Sequence, residues 1–289
     1  MLYEITHRSA YRYSQPVFLE PMTVMLRPRS DATQTVRSHD LVVTPSPSKI
    51  ARCTGLDGNN TDMIWFSDLQ DSLAIEVRTT VETHRGDTFD FLITDQAALT
   101  LPLNYEPHLA FVLGPYLRCS SNEREVAEFA RAIMANTQAQ TIPFVMRLAA
   151  QIHDRLGYLL REHGDPWSAA ETLQRGQGSC RDFAVLFIDT CRSVGLAARF
   201  VSGYCVGDVA ADTHMHAWAE VYFPGGGWRG FDPSRGAAIS DEYIAVAAGQ
   251  RPQDAAPTFG SFRGEATATL EAAISIHSID NAAARPAKE

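Results

Sequence analysis

The stretch Gly176-Gln177-Gly178-Ser179-Cys180-Arg181-Asp182-Phe183-Ala184 places a cysteine between two glycines and an apolar run. Ser179-x-x-Asp182 directly ahead of that run matches the capping-box pattern, with Ser179 at the N-cap and Cys180 at the first helical position. The predicted helix runs from Cys180 to about Val194 and stops at Gly195. Phe183, Ala184, Val185, Leu186, Phe187 and Ile188 follow one another, so it is apolar over most of its circumference and belongs inside the protein. The free N–H groups and positive dipole end at its start stabilise a thiolate. Gly176 and Gly178 leave the approach open to a substrate backbone. The cap alone also fits a plainer reading, in which Cys180 is a small buried residue beside an ordinary helix start.

A nucleophilic cysteine needs a base. The segment Asp212-Thr213-His214-Met215-His216-Ala217-Trp218-Ala219-Glu220-Val221-Tyr222 reads as a strand with His214 and His216 on one face. Pro224-Gly225-Gly226-Gly227 then turns the chain into a second strand ending at Phe231-Asp232-Pro233, which brings a carboxylate across from His216. A histidine that shares the thiol proton, oriented by an acid on the next strand, is the arrangement of a thiol-protease-like site. His214 and His216 also form a same-face pair able to chelate zinc, with Asp212 as a further ligand, but a convincing third ligand is lacking. His214 is better read as a satisfied histidine beside the site. Trp218 is read as packing rather than substrate contact, because the strand is apolar on both faces.

Outward from this region, residues 1 to about 85 read as short strands: Leu2 to Thr6, Ser9 to Tyr13, Thr23 to Arg27, Ser38 to Thr44, Asp62 to Phe66 and Leu73 to Thr83. Residues 86 to 121, with Pro102, Pro107 and Pro115, carry little periodicity and read as a connection. Asn122 caps a helix to about Ala135, and a second helix spans about Pro143 to Leu156. Arg161 to Gly178 reads as irregular, Ala197 to Cys205 as a strand, and Leu270 to Ile279 as a late strand that returns to a sheet. The tail from Asn281 reads as frayed. The expected fold is α+β: an all-β, sandwich-like domain with its connector over residues 1–105, then a core over 106–289 with helices packed on an antiparallel sheet.

With 45% hydrophobic and 20% charged residues among 289, the composition is that of a globular protein, long enough for two cores. The formal charge of -9 argues against nucleic acid or an anionic membrane as partner, since both need clustered Lys and Arg. The start of the chain lacks a cationic leader, and no apolar stretch approaches the ~20 residues that span a bilayer, so a cytoplasmic protein is expected. Cys53, Cys119, Cys180, Cys191 and Cys205 form an odd, irregular set that fits reduced thiols. Cys191 and Cys205 lie in apolar segments and read as inert core thiols. No Cys-x-x-Cys pair suggests structural zinc, and no motif asks for a cofactor.

Gly-Ser-Cys180-Arg-Asp-Phe-Ala, His216-Ala-Trp-Ala-Glu-Val-Tyr and Gly-Phe-Asp232-Pro-Ser together resemble the three signature segments of the transglutaminase-like superfamily, in its bacterial cysteine protease branch. His7-Arg-Ser-Ala-Tyr11-Arg-Tyr-Ser-Gln-Pro-Val with Leu26-Arg-Pro-Arg29 resembles the N-terminal β domain of that branch. Ile244 to Arg251, followed by Asp254, Pro257 and Gly260, is similar to its segment after the aspartate. The resemblance implies a papain-like core with Cys180 as nucleophile, His216 as acid/base and Asp232 as the orienting carboxylate. Arg181 stands where the branch often has Gln, and Ser234 where Thr is usual, which directs attention to Arg181 as a neighbour of bound substrate.

The implied activity is a thiol hydrolase that cleaves peptide, isopeptide or side-chain amide bonds through a thioester, with protein or peptide as substrate. A transglutaminase using an amine acceptor is the first alternative, disfavoured because no calcium-type acidic loop is evident. A binding or assembly module that keeps the fold without catalysis is the second. Acyl transfer from coenzyme A would use the same three residues but needs a cationic phosphate site that the acidic sequence does not advertise. Gln174, Gln177, Tyr158 and Trp167 are candidates for an oxyanion side chain. A homo-oligomer is compatible with the sequence.

Overall fold

The computed structural model describes residues 1–120, 124–161, 164–206 and 214–279. The chain opens with β1 (Leu2–Leu19), β2 (Met22–Val24), β3 (Gln34–Thr44), β4 (Lys49–Thr54), β5 (Asn60–Trp65) and β6 (Leu69–Thr83). Helices α1 (Pro107–Leu117), α2 (Arg124–Asn136) and α3 (Thr141–Arg155) follow, then β7 (Gly157–Tyr158), α4 (Ala169–Arg175), β8 (Gln177–Gly178) and α5 (Cys180–Ser193). The remaining strands are β9 (Ala198–Cys205), β10 (His216–Phe223), β11 (Gly227–Asp232), β12 (Ala237–Ala238), β13 (Tyr243–Gly249), β14 (Thr258–Phe259), β15 (Phe262–Arg263) and β16 (Ala268–Ser278).

Two antiparallel sheets form the N-terminal part, one ordered β15-β1-β6-β3 with β16 also paired to β1, the other β14-β2-β5-β4. Val17, Val24, Ile64, Ile75 and Val77 come from both sheets and share one buried cluster, which makes this a sandwich. The sequence reads as two strands where β1 is one, because His7 and Arg8 continue the alternation: His7 is buried and Arg8 exposed. The same face of β1 then serves a second core, since Tyr3 and Ile5 pack with the helices.

The second part is an antiparallel sheet in the order β12-β11-β10-β9-β13, with α5 against β9 and β10 on one side and against α2, α3 and α4 elsewhere. Eleven of the 14 residues of α5 are buried, as its unbroken apolar run requires. Arg192, buried near its end, donates to the carbonyls of Tyr116, Arg118, Ala198 and Gln250, which fixes the helix lengthwise. Helix α1 escapes sequence reading because it has no clean polar face: Leu113 is buried while Phe111 and Val112 point outward. The expected cap Asn122 lies outside the described residues, as does the tail from Asn281.

The two parts are locked by side-chain amides. Strand β13 is an edge of its sheet, and Gln34 takes the N–H of Ala245 and donates to its carbonyl, both at 2.8 Å. Asn59 does the same to Ala248 at 2.9 and 2.7 Å. Two carboxamides thus occupy an edge that would otherwise present unpaired backbone.

Candidate active site

Cys180 is the first residue of α5 and 8% exposed. The helix start is held by Asp182, whose Oδ2 accepts from the Ser179 N–H at 2.7 Å and the Ser179 hydroxyl at 2.8 Å. Its Oδ1 accepts from the Trp167 N–H at 2.7 Å and from Arg161 at 2.6 Å. Burial works against the charge on Asp182, but these four donors outweigh it and hold its pKa below the usual carboxylate value. Gly178 is buried here, and a Cβ on it would stand 2.9 Å from Cβ of Asp182, so the glycine serves the cap. Gly176 is left-handed, φ +63°, and ends α4. Both glycines thus have a local structural task, at the cap and at the end of α4.

Strand β10 carries His216 and its neighbour β11 carries Asp232. The pairing Ala219↔Phe231 puts Asp232 across from Trp218 and diagonal to His216. His216 Nε2 donates to Asp232 Oδ2 at 2.7 Å. The other oxygen, Oδ1, accepts from the Ser234 N–H at 2.8 Å and hydroxyl at 2.6 Å, and Oδ2 also accepts from the Tyr243 hydroxyl at 2.8 Å. Burial opposes ionisation of Asp232, yet these donors hold its pKa below the usual value. For His216, burial again opposes the charge, while hydrogen bonds to Asp232 and to Cys180 and the charges of both raise its pKa to about 10. With Nε2 engaged by Asp232, Nδ1 is the ring nitrogen left for the thiol. The structure therefore brings Cys180, His216 and Asp232 together, with His216 bonded to Asp232 and lining one cavity with Cys180.

Two family models match separate stretches of this chain. Residues 127–233, which hold Cys180, His216 and Asp232, match the core of the transglutaminase-like superfamily, and residues 3–82 match the bacterial transglutaminase-like N-terminal region. The chain belongs to the transglutaminase-like superfamily. An uncharacterized protein of Mycobacterium leprae is 25% identical over 280 residues, covering 94% of this chain and 97% of its own. One from Mycobacterium tuberculosis is 28% identical over 274 residues, covering 89% and 86%. Among solved structures, a Cytophaga hutchinsonii protein named "Putative Cysteine Protease" shares the fold, with a TM-score of 0.74 at 21% identity over 97% of this chain and 91% of that one. Members of the superfamily are generally cysteine-dependent enzymes.

In this transglutaminase-like chain a cavity of about 340 Å³ lies over Cys180 and His216. The core sheet and the start of α5 form one side, and His7, Ser9, Leu270, Ala272 and Ile274 of the N-terminal sheet form the other. Of the four oxyanion candidates only Tyr158 lines it, edge-on to Phe183. Trp167 instead lies between the guanidinium groups of Arg161 and Arg175, 4.1 and 4.3 Å from its ring centre. Gln174 and Gln177 are exposed elsewhere. Arg181 borders the cavity, but its guanidinium donates to the carbonyls of Gly164 and Arg161, so its first task is to hold that loop.

His214 also lines the cavity, while Asp212 lies outside the described residues. Trp218 is fully buried beneath His216, with ring centres 6.3 Å apart. Cys191 and Cys205 are buried, and burial pushes both thiols up, Cys205 to about 12. Tyr243 is the site residue that sequence reasoning missed. It opens β13, next to the Ile244 to Arg251 segment but outside the three signature segments, and its place two strands from His216 gives it a role.

Proposed function

We propose that this protein is a thiol hydrolase that cleaves peptide, isopeptide or side-chain amide bonds, with Cys180 as nucleophile, His216 as acid/base and Asp232 as its orienting partner. The observation that carries this reading is the buried 2.7 Å contact of His216 Nε2 with Asp232, in a histidine that shares a cavity with Cys180 at a helix N-terminus. A histidine whose pKa is raised to about 10 keeps its proton at neutral pH, so His216 holds the proton that the leaving amine must receive.

The Cys180 sulfur adds to the amide carbon and the carbonyl π pair moves to oxygen. The backbone N–H of Cys180, in the first turn where no intrahelical carbonyl reaches, receives that oxyanion, with Tyr158 as a second donor. Collapse breaks the C–N bond, His216 gives its proton to the leaving amine, and a thioester remains. Water then gives its proton to His216 and its oxygen to the carbonyl, which releases the acid and restores the thiolate.

Incubation with glutaminyl and lysine-linked isopeptides, with and without a labelled primary amine, tests this reading. Release of acid and amine, abolished in Cys180→Ala, is expected. Efficient incorporation of the label replaces hydrolysis with amine transfer. Iodoacetamide alkylation of Cys180 no faster than of free cysteine at neutral pH points to a module that only binds.

A further inference from the structure

The polar residues His7 and Ser9 interrupt the buried face of β1 where it meets the cavity. Tyr3 and Ile5 on the same face are core, while His7 and Ser9 are 3% and 6% exposed and line the space over Cys180. His7 Nδ1 lies 3.0 Å from the Tyr204 hydroxyl, and its Nε2 lies 3.2 Å from Ser9 Oγ. Burial lowers the pKa of His7 to about 4, so the ring is neutral and carries one proton.

The placement of that proton follows from Tyr204. Its phenol is 1% exposed and has no other partner among the described residues. A buried O–H left without an acceptor is costly, so Tyr204 donates to Nδ1. Nδ1 is then the acceptor, Nε2 holds the proton and donates it to Ser9 Oγ. The Ser9 hydroxyl has no other partner among the described residues, so its own proton is left for the cavity. On either side the surroundings are apolar: β16 pairs Ile274 with His7, Ala272 with Ser9 and Leu270 with Tyr11, and all three β16 residues face the same space.

We propose that the N-terminal sheet supplies a substrate subsite, in which the Ser9 hydroxyl, oriented by His7 and Tyr204, donates to a carbonyl of a peptide substrate whose apolar side chain rests on Leu270, Ala272 and Ile274. This rests on Cys180 being the nucleophile. It gives the β domain a direct part in choosing substrate rather than a purely structural one.

The test uses the full chain and follows alkylation of Cys180 by mass spectrometry with three reagents: iodoacetamide, chloroacetone and acetyl-Leu-Leu-chloromethyl ketone. In each the sulfur–carbon bond forms as halide leaves. The wild type is expected to prefer the peptide ketone over chloroacetone. In Ser9→Ala the peptide-ketone rate, normalised to iodoacetamide, falls about three- to tenfold, the range that one neutral hydrogen bond supports. The fall lies in the concentration giving half-maximal rate, and Ser9→Thr, which keeps the hydroxyl, restores it. No preference in the wild type, or an unchanged normalised rate in Ser9→Ala, overturns the subsite alone. Iodoacetamide alkylation of wild-type Cys180 no faster than of free cysteine overturns the nucleophile and the subsite with it.

Discussion

Arg29 donates through Nη2 to Glu220 Oε1 at 2.9 Å, a buried bond between the N-terminal part and the central strand β10 across 191 residues of chain. Arg199 holds the other oxygen at 2.7 Å. Burial alone would raise the pKa of Glu220, but the two guanidinium groups bring it down to about 2. Arg29→Ala leaves a buried carboxylate with one partner, and a loss on the order of 3 kcal/mol in urea unfolding is expected. Because the folded pKa is depressed, the contribution of Glu220 is complete above its ordinary value of 4.5 and is lost as pH falls toward about 2. The acid limb of stability between those values should therefore flatten in the variant.

His216 gives the opposite sign. Its pKa rises from an ordinary 6.5 to about 10, so the stabilisation is complete below 6.5 and disappears as pH rises through about 10. Amide cleavage should decline over the same alkaline range, as the imidazolium that protonates the leaving amine is discharged. Asp232→Asn removes the anion that supports it. The alkaline decline should move to lower pH, with a rate loss of about a hundredfold or more measured on saturating substrate.

Tyr243→Phe removes one donor to Asp232 without opening a cavity. The carboxylate keeps its bonds to His216 and Ser234, so a rate loss of about three- to tenfold is expected with little change in thermal stability. A variant equal to wild type in both rate and pH profile would leave Tyr243 as packing only.

Gly203 pairs with His216, and a Cβ there would stand 2.1 Å from the Ile244 carbonyl and 2.6 Å from Cη2 of Trp218. Gly203→Ala must push β13 away from β9 or shift the indole on which His216 lies. A loss of about 1–3 kcal/mol is expected, together with slower alkylation of Cys180. Equal stability and reactivity in the variant would show that the sheet gives way elsewhere.

Much of the site was legible because its parts are local. The cap at Ser179 and Asp182, the apolar run of α5 and the glycine turn between β10 and β11 are each written within a dozen residues. Ser234 in place of Thr changes little because the hydroxyl is what Asp232 uses. Helix α4 was missed although Ser168 and Glu171 carry its signal: the Ser168 hydroxyl accepts the Glu171 N–H at 3.2 Å, and Gly176 closes it. Its seven residues are too few for a periodic pattern to be read. The carboxamides of Gln34 and Asn59 were not legible, because each acts on a residue that is remote in sequence, and the roles of Tyr243 and Ser9 depend on which strands the fold sets beside the site. Arg181 borders the cavity as its position beside Cys180 suggests, and its guanidinium also holds two carbonyls that no local pattern announces.

Strand β16 lies on β1 from Tyr3↔Ser278 to Tyr13↔Ala268, so the wall facing Cys180 joins a strand that precedes the segment with Cys180, His216 and Asp232 to one that follows it. During synthesis the segment with Cys180, His216 and Asp232 leaves the ribosome well before Leu270, Ala272 and Ile274. Until then β1 keeps much of one edge unpaired, and the thiol faces an unfinished groove. The segment with Cys180, His216 and Asp232 is therefore made before one strand of the wall that faces it.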